Sequence, residues 1–288
     1  MKVTKLKRNN ILVVDGTNLI FRNYFVHSYR NTKSGINTGG LYGTLRSLKS
    51  YINNFKPEQV FICFDKSNYT FRNEIYPEYK AGRKKTDVEL KDQFPMLKKY
   101  CELVNIPFIE RDMYEADDLI ASLSCNAYNY NLNPYAVSGD RDILQLIDKG
   151  IDVLYLSNKG PIVYSEDSFT LEYKIRPSQF GDYKALVGDP SDNIPGIPGI
   201  GKKTAEKLLG LYEDLDGIYS NIDDFKGKQR EKIVENKENV YMFKEILKIK
   251  SDMDLNYDLY FKEYIEEGFD LEKREAKEYL KTLEIENI

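Results

Sequence analysis

The chain predicts an α/β fold built on a mainly parallel central sheet flanked by helices, on three observations. Short apolar, β-branched runs alternate with stretches whose apolar residues recur at three- and four-residue spacing, from Ile11 to about Leu156. Those runs are apolar at successive positions, as strands covered on both faces are. The first two end directly in aspartate and a third is followed closely by two more, at the carboxyl ends where open parallel sheets place their sites.

Taken in order, Ile11–Val14 is the first strand and Asp15 closes it. Gly40–Phe55 reads as a helix, Val60–Phe64 as the second strand, and Asp65 follows. Val88–Val104 is helical and Pro107–Ile109 is a short third strand. Ala116–Tyr128 carries the stripe Ala116, Leu119, Ile120, Leu123 and Ala127 and is a helix. Tyr135–Ser138, Ile143–Ile147 and Val153–Leu156 complete the series as strand, helix and strand. Between the second strand and the next packed helix, Tyr76 to Phe94 holds many charges, few apolar residues and Gly82. A core does not need such a segment, so it is expected to project from the body, with an ordinary solvated loop and helix as the alternative. From Arg176 onward, short helices broken by Gly and Pro take over, and the tail from Glu231 to Ile288 is charged and helix-prone. The expected division is therefore an α/β core over 1–175 and a helical region over 176–288, the tail serving as packing and cover.

Composition narrows the class. With 288 residues the chain is long enough for a sizeable core. No stretch approaches 18 uncharged apolar residues, and the basic start from Met1 to Asn10 leads into no signal core, so neither secretion nor membrane insertion is expected. Cys63, Cys101 and Cys125 are odd in number and lack metal spacing; a reducing, cytoplasmic setting follows. His27 is the sole histidine, which leaves no histidine-based nucleophilic triad.

Nine carboxylates fall in five places: Asp15; Asp65; Glu115, Asp117 and Asp118; Asp140 and Asp142; and Asp189 and Asp192. So many anions share one pocket only if some stay protonated or cations neutralise them. Oxygen donors with almost no histidine favour Mg²⁺, with Mn²⁺ able to substitute, and a site for more than one such ion mostly serves phosphoryl chemistry. Individually, each acid has a plainer reading as a turn former, a cap or a first-turn residue. Helical spacing alone does not aim Glu115, Asp117 and Asp118 at one ion. Neutralising all nine but Asp189 moves the formal net charge from −4 to +4, so the acidic balance does not exclude a polyanion. Basic residues gather at Lys80, Arg83, Lys84 and Lys85, and again at Lys202, Lys203 and Lys207.

Pro195-Gly-Ile-Pro-Gly-Ile-Gly-Lys-Lys-Thr-Ala205 is the most specific non-acidic motif. Gly199 and Gly201 let backbone amides approach a phosphate, with Lys202 and Lys203 beside the start of the next helix. That is the pattern of a helix–hairpin–helix over about 195–209, and the spacing excludes a nucleotide-binding P-loop. Phe21, Tyr24 and Phe25 follow Asp15 closely; Phe21 is a candidate to stack on a base, with core packing as the alternative.

Jointly, VVDGTNLIFR, FDKSNYTFRNEIYPEYKAGR, YEADDLIASL, SGDRDILQLI and GDPSDNIPGIPGIGKKTA closely resemble the 5′-nuclease family, in order from about residue 10 to 260. The family includes flap endonucleases and the 5′→3′ exonuclease domain of bacterial DNA polymerase I, and the chain resembles a stand-alone bacterial member. The resemblance implies a PIN-like 5′-nuclease fold with a helical arch over about 76–98. It also implies two-metal hydrolysis of DNA at 5′ flaps, nicked or gapped duplexes and 5′ ends, in replication and repair. By resemblance, Asp15, Asp65, Glu115 and Asp117 serve mainly one metal; Asp140, Asp142 and Asp192 complete the second, with Asp117 near both; Asp118 is an outer or alternative ligand, and Asp189 matches a motif position without being counted among the direct ligands. Lys80 and Arg83 are implied over the scissile phosphate, Arg22 and Arg72 as phosphate contacts, and a K⁺ ion at the helix–hairpin–helix. A monomer associated with the bacterial nucleoid completes what the resemblance implies. Two other readings are a junction-binding protein with a degenerate site and a metal-dependent ribonuclease.

Overall fold

A computed structural model describes residues 8–83, 86–286 and 288. Among the described residues, six strands form one sheet in the order β3-β2-β1-β4-β5-β6. They are β1 (Asn9–Asp15), β2 (Gln59–Thr70), β3 (Phe108–Met113), β4 (Leu132–Ser138), β5 (Asp152–Ser157) and β6 (Gly160–Tyr164). The first five run parallel, and β6 returns antiparallel to β5.

Unbroken apolar runs are what the central strands need, because both of their faces are covered. In β1, Ile11 and Val13 join one core while Leu12 and Val14 join the other. In β2, Phe61 and Cys63 divide from Val60, Ile62 and Phe64 in the same way. The period-two alternation sorts side chains between two cores rather than between core and water.

α1 (Gly16–His27), α2 (Gly39–Phe55), α3 (Phe71–Ile75), α4 (Val88–Lys91), α5 (Gln93–Val104) and α6 (Ala116–Ala127) follow in the sheet-forming half. α1 packs on β2 at a distance only glycine permits: a Cβ on Gly16 would lie 2.4 Å from Ile62 Cγ2. Beyond the sheet come α7 (Glu166–Tyr173), α8 (Phe180–Val187), α9 (Lys202–Tyr212), α10 (Leu215–Ser220), α11 (Gly227–Glu235) and α12 (Lys237–Leu247). A π-turn at Leu259–Glu263 precedes α13 (Tyr264–Glu267) and α14 (Arg274–Thr282). Residues from α8 to Phe261 share the core containing Ile11 and α6, so the helical region is continuous with one face of the sheet. α14 crosses to the other face, where Ala276, Leu280, Leu283 and Ile285 join Leu45, Leu97 and Val104 of α2 and α5.

β1 has β2 on one side and β4 on the other, so the chain reverses direction of travel across the sheet between them. Crevices at such switch points are where open α/β sheets bind ligands. Asp15 lies at the carboxyl end of β1, and Gly139-Asp140 leave the carboxyl end of β4.

The segment over 76–98 differs from its expectation. Residues 76–83 form successive turns that lie against the body, with Tyr79 buried and Lys80 N–H donating to the Asp192 carbonyl (3.1 Å). Among the described residues, helix resumes only at Val88, and Leu90 and Gln93 are buried there. Lys84 and Lys85 lie outside the described residues. Among the described residues, no helix is long and apolar enough to cross a membrane. Cys63, Cys101 and Cys125 are free thiols.

Candidate metal centre

Asp15 enters the crevice as the residue that ends β1 and caps α1. Its Oδ1 accepts from the Asn18 amide (2.8 Å) and its Oδ2 from the Ser138 hydroxyl (2.7 Å), which ties β1 to β4. Asp65 sits one strand over, where β2 leaves its regular pairing with β3. Its Oδ1 accepts from the Ala116 amide (2.8 Å) at the start of α6. Glu115 and Asp117 stand at that same helix start. Asp117 Oδ1 is buried with no hydrogen-bond partner among the described residues, an orphan acceptor of the sort that a cation satisfies.

The turn after β4 brings in two more acids. Asp140 N–H donates to Ser138 Oγ (3.1 Å), and Asp140 Oδ1 accepts from the Asp142 amide (3.0 Å). Across from them, Asp189 and Asp192 come from a tight loop closed by two hydrogen bonds between Asp189 and Ile194 (2.7 and 2.8 Å). Carboxylate oxygens of Asp142, Asp189 and Asp192 all lie within 4.8 Å of one another.

Electrostatics mark the crevice as short of positive charge. Burial, and then the nearby Asp65 and Asp140, push the Asp15 carboxyl up to about 7 against the pull of its two hydrogen bonds. Asp142 also rises to about 7; burial leads, Lys184 opposes it, and Asp140 and Asp192 add to it. Asp117 rises well above the usual carboxylate range through burial and then through Asp140, Asp15 and Asp142. Clustered carboxyls that retain protons near neutrality suit hard divalent cations, which replace those protons. The donor set fits such ions.

Basic side chains already lean on these acids. Lys80 Nζ donates to Glu115 Oε1 (2.7 Å), and Arg83 Nη2 donates to Asp192 Oδ1 (3.0 Å). Burial alone would raise Glu115, but Lys80 and Arg72 outweigh it and hold the carboxyl below its usual value. Lys184, absent from the sequence reading, bonds Asp142 and reaches Asp189 Oδ2 at 2.6 Å. Its signal was a lysine at a buried position of α8, between Tyr183 and Ala185. Tyr79 was also missed; its hydroxyl lies 3.2 Å from Glu115 and 3.3 Å from Asp192.

Four expected site residues are placed otherwise. Asp118 is fully buried, and each of its oxygens accepts two hydrogen bonds: from Arg72 Nη2 and the Lys250 amide, and from Arg72 Nη1 and the Glu115 amide. It is a structural anchor without a free lone pair directed at a metal. Arg72 is its partner, 3% exposed and also bonded to the Ile246 and Lys248 carbonyls, which removes it from the set of phosphate contacts. Arg22 spends its terminal nitrogens on the carbonyls of Leu156 and Ser157 (2.9 and 2.6 Å), joining α1 to β5. Phe21 packs edge-on against Phe94 (6.1 Å).

At the helix–hairpin–helix motif, α8 and α9 flank a loop in which the Ile197 amide donates to the Leu186 carbonyl (2.9 Å). Gly199 takes φ +88° and Gly201 is the N-cap of α9, both exposed with Lys202 and Lys203. The closest backbone approach belongs to glycines not singled out from sequence: a Cβ on Gly196 would meet Gly188 N at 2.4 Å.

Comparison with known proteins agrees with this geometry. A family model described as the N-terminal resolvase-like domain of 5′-3′ exonuclease matches residues 10–174, and one described as its C-terminal SAM fold matches residues 175–267. DNA polymerase I of Caldicellulosiruptor bescii is 39% identical over 254 residues, covering 86% of this chain and 30% of the relative. DNA polymerase I of Bacillus subtilis is 34% identical over 271 residues, covering 93% and 30%. The chain thus spans about 30% of the length of the curated relatives it matches. Among solved structures, a T5 5′-exonuclease with bound zinc superposes with a TM-score of 0.69 at 23% identity, covering 95% of this chain and 99% of that one. The catalytic core of Rad2 in complex with DNA substrate gives 0.55 at 15% identity, covering 98% and 89%. With its acids gathered at the sheet's switch point and both halves matched by the family's own models, the chain belongs to the 5′-3′ exonuclease family.

Proposed function

We propose that this protein hydrolyses DNA phosphodiester bonds at 5′ flaps and 5′ ends, in replication and repair, in the bacterial cytoplasm at the nucleoid. The observation that carries the reading is the meeting of Asp15, Asp65, Glu115, Asp117, Asp140, Asp142, Asp189 and Asp192 in one crevice, with Lys80, Arg83 and Lys184 against it.

Asp15, Asp65, Glu115 and Asp117 would hold one divalent cation, and Asp140, Asp142, Asp189 and Asp192 a second; Mg²⁺ suits both, with Mn²⁺ as a substitute. When bound, such ions lower the pKa of water and neutralise charge on the phosphate. The chain's own residues do the rest. Lys80 and Arg83 stand on a segment pinned over the acids by Tyr79 and offer donors to a phosphate that enters there. Water adds to phosphorus and the P–O3′ bond breaks, leaving a 3′-hydroxyl and a 5′-phosphate. Exposed Gly199, Gly201, Lys202 and Lys203 at the start of α9 offer amides and charge to the duplex backbone, with backbone carbonyls of the same loop as the place for a K⁺ ion. The working unit on this reading is a monomer.

The test is a 5′-labelled flap duplex incubated with Mg²⁺ and, separately, with EDTA. Metal-dependent incision near the junction is the expected result. Binding without incision, even with Mn²⁺, would sink the nuclease reading and leave a junction binder.

A further inference from the structure

One concavity is shared by the acid cluster and the start of α9. Its volume is about 670 Å³. Asp140, Asp189 and Lys202 line it together with Arg141, Tyr155 and Tyr173. Arg141 stands between two of the metal acids in sequence, yet its guanidinium joins a different set of partners. Nη1 donates to Glu172 Oε1 (2.7 Å) and to the Tyr173 hydroxyl, and the group lies 5.4 Å from the Tyr155 ring centre. Among the described residues, its Nε and Nη2 have no hydrogen-bond partner, and the side chain is 48% exposed. A guanidinium fixed on one edge and open on the other presents its remaining donors in a set direction.

As a plain surface ion pair, Arg141 and Glu172 would contribute little to stability and do nothing else. The surroundings favour more. Glu172 is shared, since the Tyr164 hydroxyl also bonds its Oε2. Arg141 and Lys202 line the same groove as Asp140 and Asp189, so a polyanionic strand lying in it meets both cations.

We propose that this groove is a subsite for a DNA phosphodiester backbone leading away from the reacting phosphate, with Arg141 as a cationic contact additional to Lys202. The inference rests on the nuclease reading above. On it, the Tyr173 hydroxyl holds the guanidinium on the wall, Glu172 is an anion that competes with a phosphate for it, and Arg141 contributes affinity for the strand rather than for the metal.

The test is single-turnover cleavage of a fluorescein-labelled 5′-flap duplex, with enzyme in excess, fixed Mg²⁺ and NaCl between about 50 and 200 mM. Arg141→Gln is expected to raise the half-saturating enzyme concentration about tenfold, and to flatten its log–log salt dependence by about one unit, the signature of one lost phosphate contact. Arg141→Lys should keep the wild-type slope, and the Mg²⁺ concentration for half-maximal rate should stay that of the wild type. Glu172→Gln, which removes the neighbouring anion, should lower the half-saturating concentration, and this variant decides the matter if Arg141→Gln does not fold. An unchanged slope in Arg141→Gln overturns the proposal. So does a shifted Mg²⁺ dependence with an unchanged slope, because Arg141 would then only shape the Asp140–Asp142 turn. Weaker binding by Glu172→Gln also counts against it. Failure of the wild type to cut is a separate result, removing the nuclease reading and this inference with it.

Discussion

Asp15 and Asp142 keep their protons to about pH 7 in the folded, cation-free protein, while in an unfolded chain they would lose them near pH 4. The native state therefore binds more protons across that window. Their contribution to stability is complete below about pH 4 and is lost as pH rises through about 7. With EDTA, the melting temperature should fall between pH 5 and pH 8; added Mg²⁺ should remove most of that fall, since only the anionic cluster binds it. A melting temperature indifferent to pH in EDTA would show that these acids are not confined together. Asp142→Asn removes one oxygen from the cluster with Asp189 and Asp192. Turnover on flap DNA should drop roughly 10²-fold or more, the scale of losing one preorganised electrostatic contact, while the junction is still bound in a gel-shift assay. The acids were legible in the sequence because they end strands or open a helix, which fixes where they go. What Asp118 and Arg72 do was not legible. A buried ion pair between residues 46 positions apart leaves no periodic trace, and both residue types also suit a metal or phosphate site.

At the scale of elements, that pair joins α3 to the start of α6 and, through the Ile246 and Lys248 carbonyls, to the end of α12. Asp118→Ala would strand a guanidinium that is 3% exposed, and breaking a buried pair this way costs about 3–5 kcal/mol. Urea unfolding measures it; a loss under about 1 kcal/mol would mean that the pair is solvated. Gly196 gives a second case, having φ +65° and no room for a methyl group against Gly188 N. Gly196→Ala should cost about 1–3 kcal/mol and move the loop carrying Asp192. Gly199→Ala, whose Cβ would meet only the flexible end of Lys232, should cost less. The central strands and α2, α5 and α6 were readable because their apolar residues face one or two cores regularly. α1 was not, since Phe25 and Val26 are exposed on a helix that buries Leu19, Ile20 and Tyr24, which blurs its stripe. β6 escaped notice as a short edge strand with Pro161 and exposed Ile162 and Val163.

Across the whole molecule, the two faces of the sheet are closed by different parts of the chain. α6 and the helical region cover one; α1, α2, α5 and finally α14 cover the other. Leu280→Ala in α14 should destabilise the protein by about 2–4 kcal/mol, the usual range for a buried leucine, read from the urea midpoint at constant slope. An effect below about 0.5 kcal/mol would class that contact with surface substitutions. α14 and the residues after it lie beyond residue 267, where the matched family models stop, so their return to the sheet was beyond the reach of motif comparison. The amphipathic charge pattern of the tail showed a helix there but not its partner. That return has a consequence for how the protein is made. Arg30 and Lys33 meet Glu284, and Lys49 meets the carbonyl of Ile288, across 239 to 254 residues. A ribosome that has released the first hundred residues has delivered α2 and most of α5 with nothing to shield them on that side. At roughly 5–20 residues per second, the apolar surface around Leu45 and Leu97 waits on the order of ten seconds or longer for its cover, an interval in which a nascent chain is open to chaperones and to its neighbours.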